Sequence, residues 1–239
     1  MAFQSSLAAA FARDGYCVAE DQELAREIRS LRVTFENRYR SRFNDDATHN
    51  RNLIKRFGDS LEVARVMSSK HLEEIARDIG VQEPVFCGPV VTHYTSHDLT
   101  GQSYGLPFHQ DWPSMGSSDN AVIIWFNLTD SGPTTHGIEV APGFHRHGIL
   151  EGENHPNGYV LKQQSFPGSV VPTVAVGGIV FMSALLPHQT YVNSTFTGWK
   201  LSLSRRFDDL QCPRWTARQY ANAYGTVVNR ELFTSTRHL

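Results

Sequence analysis

The residue pattern between about Pro84 and Phe207 constrains the fold more than any other feature of the sequence. This region consists of short β-branched or aromatic runs separated by glycine, proline, asparagine and serine. Such runs, with no helical pattern between them, predict antiparallel strands in two packed sheets rather than alternating strands and helices. The predicted strands are Val85–Thr95, Ala121–Leu128, Ile138–Ala141, Tyr159–Gln163, Val170–Val176, Ile179–Met182 and Lys200–Phe207. The pattern therefore predicts a β sandwich or jelly roll.

The first third of the chain has helical periodicity instead. Apolar residues recur every three or four positions in two stretches: Leu24, Ile28, Leu31 and Phe35, then Leu72, Ile75, Ala76 and Ile79. Ser69 is a suitable N-cap for the second helix, and Gly80 is a suitable residue to end it. Between the two helices, Asn44–Asn52 is polar and unpatterned, and we expect it to be a loop.

The chain has no segment that would divide it into separate domains. We expect one domain with a helical N-terminal layer at 1–83, a β core at 84–207 and a C-terminal extension at 208–239. Within the extension, Ala217–Tyr224 is a possible helix. A length of 239 residues is sufficient for a substantial core.

Composition and charge narrow the class of partner. The net charge is -2 with 22 Lys+Arg and 24 Asp+Glu, and there is no basic block to attract nucleic acid or an anionic membrane. A small-molecule partner is the better expectation, and both a monomer and a homodimer stay open. The three cysteines are widely spaced and form no CxxC pair, which is typical of a cytoplasmic protein.

The most informative short motif is His109 and Asp111. Residues two apart in an extended strand point to the same side, so this imidazole and this carboxylate can face one point. A His-x-Asp pair is common in proteins, and a surface turn is the alternative interpretation of this motif taken alone.

His188 supplies a second element, because it follows the apolar run Ile179–Leu186, which we expect to be a buried strand. Two imidazoles and one carboxylate on one side of a metal leave other coordination positions open, which suits Fe(II) that must bind further ligands. Structural zinc sites are closed and four-coordinate, so zinc is less apt. We therefore predict His109, Asp111 and His188 as metal ligands.

Further segments occur in a fixed order around these residues. They are Asp14-Gly15-Tyr16, His109-Gln110-Asp111-Trp112, Trp125-Phe126-Asn127-Leu128-Thr129-Asp130, Ala141-Pro142-Gly143-Phe144-His145-Arg146, Gly177-Gly178, His188 and Asn193. In this combination the sequence resembles the phytanoyl-CoA dioxygenase family from about Phe11 to Phe207. The resemblance implies a double-stranded β-helix, or jelly roll, with N-terminal helices packed on one sheet.

The resemblance also implies a reaction. Such enzymes use Fe(II), 2-oxoglutarate and O2, release succinate and CO2, and most often hydroxylate a substrate carbon. The surroundings of the metal motif look closest to members that act on small polar metabolites, such as sugars, amino acids or natural products. A halogenase is disfavoured, because those enzymes replace the metal carboxylate and Asp111 is present. Desaturation, epimerisation and cyclisation stay open.

The sequence departs from the family at the cosubstrate anchor. The family has an arginine about a dozen residues after the second histidine, and here that position is Lys200. Lys200, Ser202, Ser204 and Arg206 share one face of the predicted strand. If the opposite apolar face packs against the helices, Lys200 would bind the distal carboxylate of 2-oxoglutarate, with Ser202 and Thr190 as hydroxyl donors. Arg206 is the rival anchor.

Two aromatic residues are further candidates for the cosubstrate site. By the resemblance Trp125 borders 2-oxoglutarate, although an aromatic packed in a sheet core is the alternative. The strand before the metal motif supplies a further contact in the family, and of its residues His93 and Tyr94 we expect Tyr94 to take that role.

The loop after the metal motif, Trp112–Asn120, is rich in hydroxyl groups and is a candidate substrate lid. Its candidate substrate residues are Trp112, Ser114, Met115 and Ser117. An ordinary surface loop is the alternative.

Two other functions remain open from the sequence. One is a cupin-like metalloenzyme with the same metal ligands but without 2-oxoglutarate, which the lysine at position 200 favours. The other is a non-catalytic jelly-roll binding domain.

Overall fold

The computed structural model describes residues 5–96, 105–115, 118–155 and 158–213. Its helices are α1 Ser6–Asp14, α2 Gln22–Arg38, α3 Ala47–Gly58, α4 Leu61–Met67, α5 Lys70–Asp78 and α6 Trp112–Met115. Its strands are β1 Tyr16–Glu20, β2 Pro84–Ser96, β3 His109–Gln110, β4 Val122–Asn127, β5 Gly137–Val140, β6 Gly152–His155, β7 Gly158–Leu161, β8 Gly178–Ser183, β9 His188–Tyr191 and β10 Trp199–Asp209.

The strands form two five-stranded antiparallel sheets. The major sheet has the order β1-β8-β4-β10-β2, and the minor sheet has the order β5-β9-β3-β7-β6. This is the mainly β architecture with flanking helices that the sequence predicted. The metal motif lies in the minor sheet, and the strand predicted to anchor 2-oxoglutarate lies in the major sheet. The two therefore face each other across the space between the sheets.

Alternation along the central strands of the major sheet produces two separate cores. On β4, Val122, Ile124 and Phe126 pack with helical residues such as Leu24 and Phe35. Ile123 and Trp125, which alternate with them, lie in a different cluster with minor-sheet residues such as Ile138 and Val140. The helices therefore cover one face of the major sheet, and its other face looks toward the minor sheet.

The strand β10 follows the same alternation. Leu201, Leu203 and Phe207 belong to the core shared with the helices. The alternating positions 200, 202, 204 and 206 line the cavity between the sheets. The β10–β4 register is regular over this stretch, whereas β2 carries a bulge between the partners of Ser204 and Arg206.

The expectation of a loop at Asn44–Asn52 was wrong, because α3 begins at Ala47. Asp46 caps this helix by accepting from the backbone N–H groups of Thr48 and His49. The polar first turn hid the pattern, since the apolar anchors Ile54 and Phe57 come only in the second half. The other two predicted helix faces are confirmed as buried, apart from the partly buried Ile75 and Ile79 at the end of the second.

The N-terminal layer is not wholly helical. Tyr16–Glu20 forms β1, which pairs with β8 at one edge of the major sheet. The predicted strand Val170–Val176 makes only isolated bridges, to Val140, Ser131 and Gly178. Strands β3, β6 and β9 were not predicted, because β3 has only two residues and the four-residue β6 and β9 lack the aliphatic residues of the equally short β5 and β7.

Among the described residues, no helix combines the length and the apolar character that crossing a bilayer requires. The possible helix at 217–224 lies outside the described residues, so the C-terminal extension stays a prediction beyond residue 213.

Candidate metal centre and cosubstrate pocket

Three predicted ligands converge at the minor sheet. His109 on β3 pairs directly with His188 on β9, and their ring centroids lie 4.1 Å apart. Asp111 follows His109 by two residues, and its Oδ1 lies 3.6 Å from His109 Nε2. One ligand atom from each of the three residues lies within 4.8 Å of the others, close enough for all of them to contact one metal ion.

The two imidazoles are oriented by backbone carbonyls. His109 Nδ1 lies 2.8 Å from the carbonyl of Pro107, and His188 Nδ1 lies 2.9 Å from that of Leu186. A carbonyl oxygen only accepts, so each Nδ1 carries the proton and each Nε2 has a free lone pair. Burial lowers the pKa of His109 to about 3 and lowers that of His188 too, so both rings are neutral ligands at neutral pH.

The carboxylate of Asp111 is ionised and paired. Arg206 donates from Nε (3.0 Å) and from Nη2 (2.6 Å) to Asp111 Oδ2. Although burial alone opposes ionisation, this guanidinium and the two imidazoles hold the pKa of Asp111 well below its usual range. Two neutral imidazoles and one carboxylate are the donor set that suits Fe(II) with open positions, so these residues fit such a metal.

A cavity of about 500 Å³ opens beside these ligands, between the two sheets. It is lined by all three ligands and also by Ile123, Trp125, Ile138, Met182, Thr190, Lys200, Ser202, Ser204 and Arg206. Arg51 and Lys55, both exposed, reach it from α3. A volume of this size holds small molecules rather than a polymer segment.

Lys200 is the most unusual charged group in this cavity. Its side chain is buried, with 2% of the residue exposed, and Nζ donates to the carbonyl of Gly137 (3.0 Å). Burial lowers the pKa of the Lys200 ammonium to about 7. A buried ammonium with donors to spare fits an anionic ligand that would restore its charge.

Two polar residues lie next to Lys200 and Ser202 on the same face of the major sheet. Thr95 lies opposite Lys200 in the β2–β10 register, and Asn127 lies opposite Ser202 in the β4–β10 register. Within the described part of the chain, Thr95 Oγ1 and both side-chain polar atoms of Asn127 are buried without a hydrogen-bond partner. Buried polar groups are normally satisfied by a protein group or by ordered water, and these atoms are exceptions next to the strand positions that line the cavity.

Three predicted cosubstrate residues also line the cavity. The ring centroid of Trp125 lies 6.0 Å from Lys200 Nζ, at the limit of a cation–π contact. Thr190 Oγ1 accepts from the backbone N–H of Leu106 (3.3 Å), which leaves its own proton available. Ser202 Oγ makes a long contact to the carbonyl of His93 (3.5 Å). Arg206, the rival anchor, contacts Asp111 instead.

Tyr94 also lines the cavity, although most of its side chain packs against the helical layer. Tyr94 lies opposite Leu201 in the register, so it shares the face that packs against the helices. Its ring contacts Phe35, Phe43 and Trp199, and its hydroxyl accepts from Arg40 Nε (3.2 Å).

His93 lies opposite Ser202 and lines the cavity together with Tyr94. Burial, with Lys200 and Arg206 as secondary causes, lowers the pKa of His93 to about 3. A neutral imidazole therefore shares the cavity with the Lys200 ammonium and interacts electrostatically with His109 and Asp111. Alternation along β2 could have identified His93 from the sequence only if the register between β2 and β10 had been known.

The predicted lid also differs from expectation. Trp112 is fully buried in a hydrophobic cluster, and its Nε1 donates to the carbonyl of Ser118 (2.8 Å), so it anchors the loop and is not among the residues that line the cavity. Ser114 does line the cavity. Met115 ends α6, but the position of its side chain is not described, and Ser117 lies outside the described residues.

Gln110, between the two ligands of the motif, has a supporting role that the sequence did not reveal. It is fully buried, and its Nε2 donates to the carbonyls of Gly148 (2.8 Å) and Leu185 (2.6 Å). Its Oε1 accepts from the N–H of Leu150 (2.9 Å). Gln110 thus ties β3 to the segment that leads into His188.

Two family segments far apart in the sequence form one junction beside the metal ligands. The N–H of Gly143 donates to the carbonyl of Asp14 (2.8 Å), and the N–H of Ser183 donates to that of Gly15 (2.8 Å). Gly15 has a φ of +80°, and a Cβ at this position would collide with the ring of His145. The junction holds the turn between β8 and His188.

Solved structures share this fold. EvdO2 from Micromonospora carbonacea var. aurantiaca aligns with a TM-score of 0.61 and 16% identity over 90% of this chain and 97% of that chain. EctD from S. alaskensis in its apoform aligns with a TM-score of 0.62 and 20% identity, covering 87% and 78% of the two chains. A search of curated proteins gave no match.

A third structure is that of SnoN in complex with Fe3+, alpha ketoglutarate and nogalamycin RO, which aligns with a TM-score of 0.54 and 18% identity over 85% of this chain and 82% of that chain. SnoN is described as a non-heme alpha ketoglutarate dependent epimerase from nogalamycin biosynthesis. At these identities the three likenesses concern the fold.

A jelly roll that presents two neutral imidazoles and one carboxylate to a small cavity defines the class of non-haem iron enzymes. Residues 11–198 match the family model of phytanoyl-CoA dioxygenase (PhyH), so the chain belongs to that family. It is accordingly a non-haem iron, 2-oxoglutarate-dependent oxygenase whose cofactors are Fe(II), 2-oxoglutarate and O2. The alternatives of a cupin-like enzyme without 2-oxoglutarate and of a binding domain are not favoured.

Proposed function

We propose that this protein hydroxylates a small polar metabolite that carries an anionic group, with conversion of 2-oxoglutarate to succinate and CO2. The observation that carries this proposal is the shared cavity, in which His109, Asp111 and His188 lie together with the buried cation Lys200. We further propose a cytoplasmic location, which follows from the sequence composition rather than from the fold.

In this proposal His109, Asp111 and His188 hold Fe(II) through the two Nε2 atoms and Asp111 Oδ1. The carbonyls that fix both imidazole tautomers support this assignment, because they leave one lone pair per ring directed at a common point. When bound, the iron activates O2 with electrons drawn from 2-oxoglutarate. The protein's own tasks are to bind, to orient and to exclude water.

Lys200 is proposed to bind the distal carboxylate of 2-oxoglutarate. Its burial favours this role, since a carboxylate would offset the desolvation that lowers its pKa. Ser202, Thr190 and His93 would supply further hydrogen bonds, and Trp125 would border the cosubstrate. An ammonium lacks the planar fork of arginine, so it binds one carboxylate without fixing its plane.

The charge of the cavity favours an anionic substrate. Among the described residues that line it, the basic side chains are Arg51, Lys55, Lys200 and Arg206, and the only carboxylate is Asp111. Fe(II) and the 2-oxoglutarate dianion together add no net charge, so the positive excess persists in the loaded enzyme. Arg51 and Lys55 lie one helical turn apart on α3, where they would contact a carboxylate or phosphate of the substrate.

The volume of the cavity limits the size of the substrate. Cosubstrate and substrate must share about 500 Å³, in the lower part of the range for small-molecule sites. Hydroxylation is the proposed outcome. Epimerisation, the reaction named for SnoN, uses the same metal and cosubstrate and differs in where the substrate carbon lies, so product analysis must distinguish the two.

The test is a fractionated metabolite screen with the Fe(II)-loaded protein. A mixture of small metabolites is separated on an anion exchanger, and each fraction is assayed for stimulated succinate release and for a product with one added oxygen atom. We expect activity in the retained fraction and its loss in Lys55→Glu, with Arg56→Glu on the same helix as the matched control. Activity confined to the unretained fraction would contradict the anionic substrate, and a product of unchanged mass would contradict hydroxylation.

A further inference from the structure

Arg206 contacts the two carboxylate oxygens of Asp111 unequally. Binding of a metal by Asp111 does not by itself require this asymmetry. Both donors of the guanidinium, Nε and Nη2, go to Oδ2. Oδ1 is the oxygen 3.6 Å from His109 Nε2. Both side chains are nearly inaccessible to solvent, with 7% of Arg206 and 11% of Asp111 exposed. The two oxygens of one carboxylate are therefore in different environments.

We propose that Arg206 is a positioning residue that restricts Asp111 to one metal-binding oxygen and so keeps a coordination position open for O2. This inference rests on the proposed function, because it concerns the same metal. Two charge-assisted hydrogen bonds occupy the lone pairs of Oδ2 that a chelating carboxylate would otherwise direct at the metal.

The open position would matter because a six-coordinate Fe(II) would have only one left. The three protein ligands would take three positions and 2-oxoglutarate would take two. A second oxygen from Asp111 would fill the last. Carboxylates bind metals with one or with two oxygens, so the choice needs a cause in the protein. Arg206 supplies that cause.

The backbone around Arg206 is suited to this task. Arg206 lies on β10, between Ile123 on β4 and Cys87 on β2, so paired strands flank it on both sides. Its Nη1 contacts Ser204 Oγ (3.4 Å) on the same face. The guanidinium is therefore held by the sheet opposite the one that carries Asp111.

A purely structural role and a positioning role predict different results. If Arg206 only supported Asp111, its removal would weaken metal binding, and whatever iron did bind would keep its open position. If Arg206 controls how Asp111 binds, removal would still allow iron to bind at saturating concentration, but the iron would lose affinity for a ligand at the open position.

Nitric oxide is the probe, because it occupies the O2 position and gives an EPR signal with Fe(II). The whole chain is loaded anaerobically with saturating Fe(II) and 2-oxoglutarate, and NO is titrated into the wild type, Arg206→Met and Arg206→Lys. Arg205→Met is the matched control, since Arg205 stacks on Phe86 (3.4 Å to the ring centroid) on the other face of β10 and loses the same charge. Iron bound per chain is measured separately.

We expect NO affinity per bound iron to fall about tenfold or more in Arg206→Met. Arg206→Lys, which keeps the charge but has no fork, should show an intermediate loss, and Arg205→Met none. If Arg206→Met does not fold, the lysine variant carries the test. Unchanged NO affinity in a folded Arg206 variant would overturn the inference, whereas failure of the wild type to bind iron would instead refute the proposed function.

Discussion

Replacing Lys200 with methionine should stabilise the protein and weaken its binding of 2-oxoglutarate. Burial lowers the pKa of Lys200 from 10.5 to about 7, which corresponds to a cost of roughly 4–5 kcal/mol for the charged form. Methionine removes that cost but also removes the bond to the Gly137 carbonyl, worth about 1 kcal/mol. Allowing for imperfect packing, we expect Lys200→Met to raise the free energy of unfolding by roughly 1–3 kcal/mol.

The effect on 2-oxoglutarate has the opposite sign. A hydrogen bond to a charged group contributes about 1.5–3 kcal/mol, so its loss should weaken binding about 10- to 150-fold. Lys200→Arg is the matched control, because it keeps the charge and restores the residue type found in the family. We expect the arginine variant to bind 2-oxoglutarate at least as tightly as the wild type.

The pH dependence of both quantities follows from the same lowered pKa. Between pH 7 and about 10.5 the unfolded chain holds a proton on Lys200 that the folded chain has released. Stability of the wild type relative to Lys200→Met should therefore rise with pH across this window. Affinity for 2-oxoglutarate should be constant below about pH 7 and fall above it, by up to about tenfold per pH unit, in the wild type alone.

The assays are urea denaturation of the protein without metal and isothermal titration of 2-oxoglutarate into the Ni(II)-loaded protein, each from pH 6 to 9. The reasoning would be refuted if Lys200→Met were less stable than the wild type and bound 2-oxoglutarate equally well. A wild-type affinity that does not change above pH 7, with the arginine variant behaving identically, would show that Lys200 is not the anchor.

Three further predictions concern the surroundings of the site. Gln110→Ala leaves two buried carbonyls and one partly buried N–H without their partner and should lower the free energy of unfolding by about 2–4 kcal/mol in urea denaturation; a loss under about 1 kcal/mol would contradict this role. Gly15→Ala places a Cβ against His145 at a positive φ and should cost about 2–3 kcal/mol by the same measurement, and an unchanged midpoint would be the contrary result. His93→Ala should weaken 2-oxoglutarate binding about tenfold, while Tyr94→Phe should leave it unchanged. The reverse order in calorimetric titration would identify Tyr94 as the cosubstrate contact.

The residues of the metal centre could be proposed from the sequence because their geometry is local. His109 and Asp111 are two apart on an extended segment, and His188 follows a recognisable buried run. Their mutual approach comes from the pairing of β3 with β9, two strands too short to show any periodicity. The order of the family motifs indicated that the three ligands come together, which the hydrophobic pattern alone could not show.

The cosubstrate side was less predictable, because it depends on register between strands distant in the chain. Alternation on β10 correctly separated Lys200 from Leu201. The choice between His93 and Tyr94 required the offset between β2 and β10. No sequence pattern specified that offset, and both residues line the cavity, so the role of Tyr94 stays a prediction.

Contacts of polar side chains were the least predictable part. Arg206 was considered as an anchor for a free carboxylate, yet it pairs with Asp111 from the opposite sheet. Trp112 was considered as a substrate contact, yet it fills the core beneath its loop. Both outcomes depend on which buried group lies across the cavity, and that is a property of the assembled sheets.

The most direct test of the account is anaerobic titration of Fe(II) and then 2-oxoglutarate, followed by the visible absorption that arises when 2-oxoglutarate chelates iron. We expect the absorption to appear at one equivalent of each in the wild type and to be absent in Asp111→Ala, with Asp119→Ala, in the nearby loop, as the control that keeps it. A protein that binds no iron, or whose absorption is unchanged in Asp111→Ala, would contradict the assignment of His109, Asp111 and His188 as the metal centre.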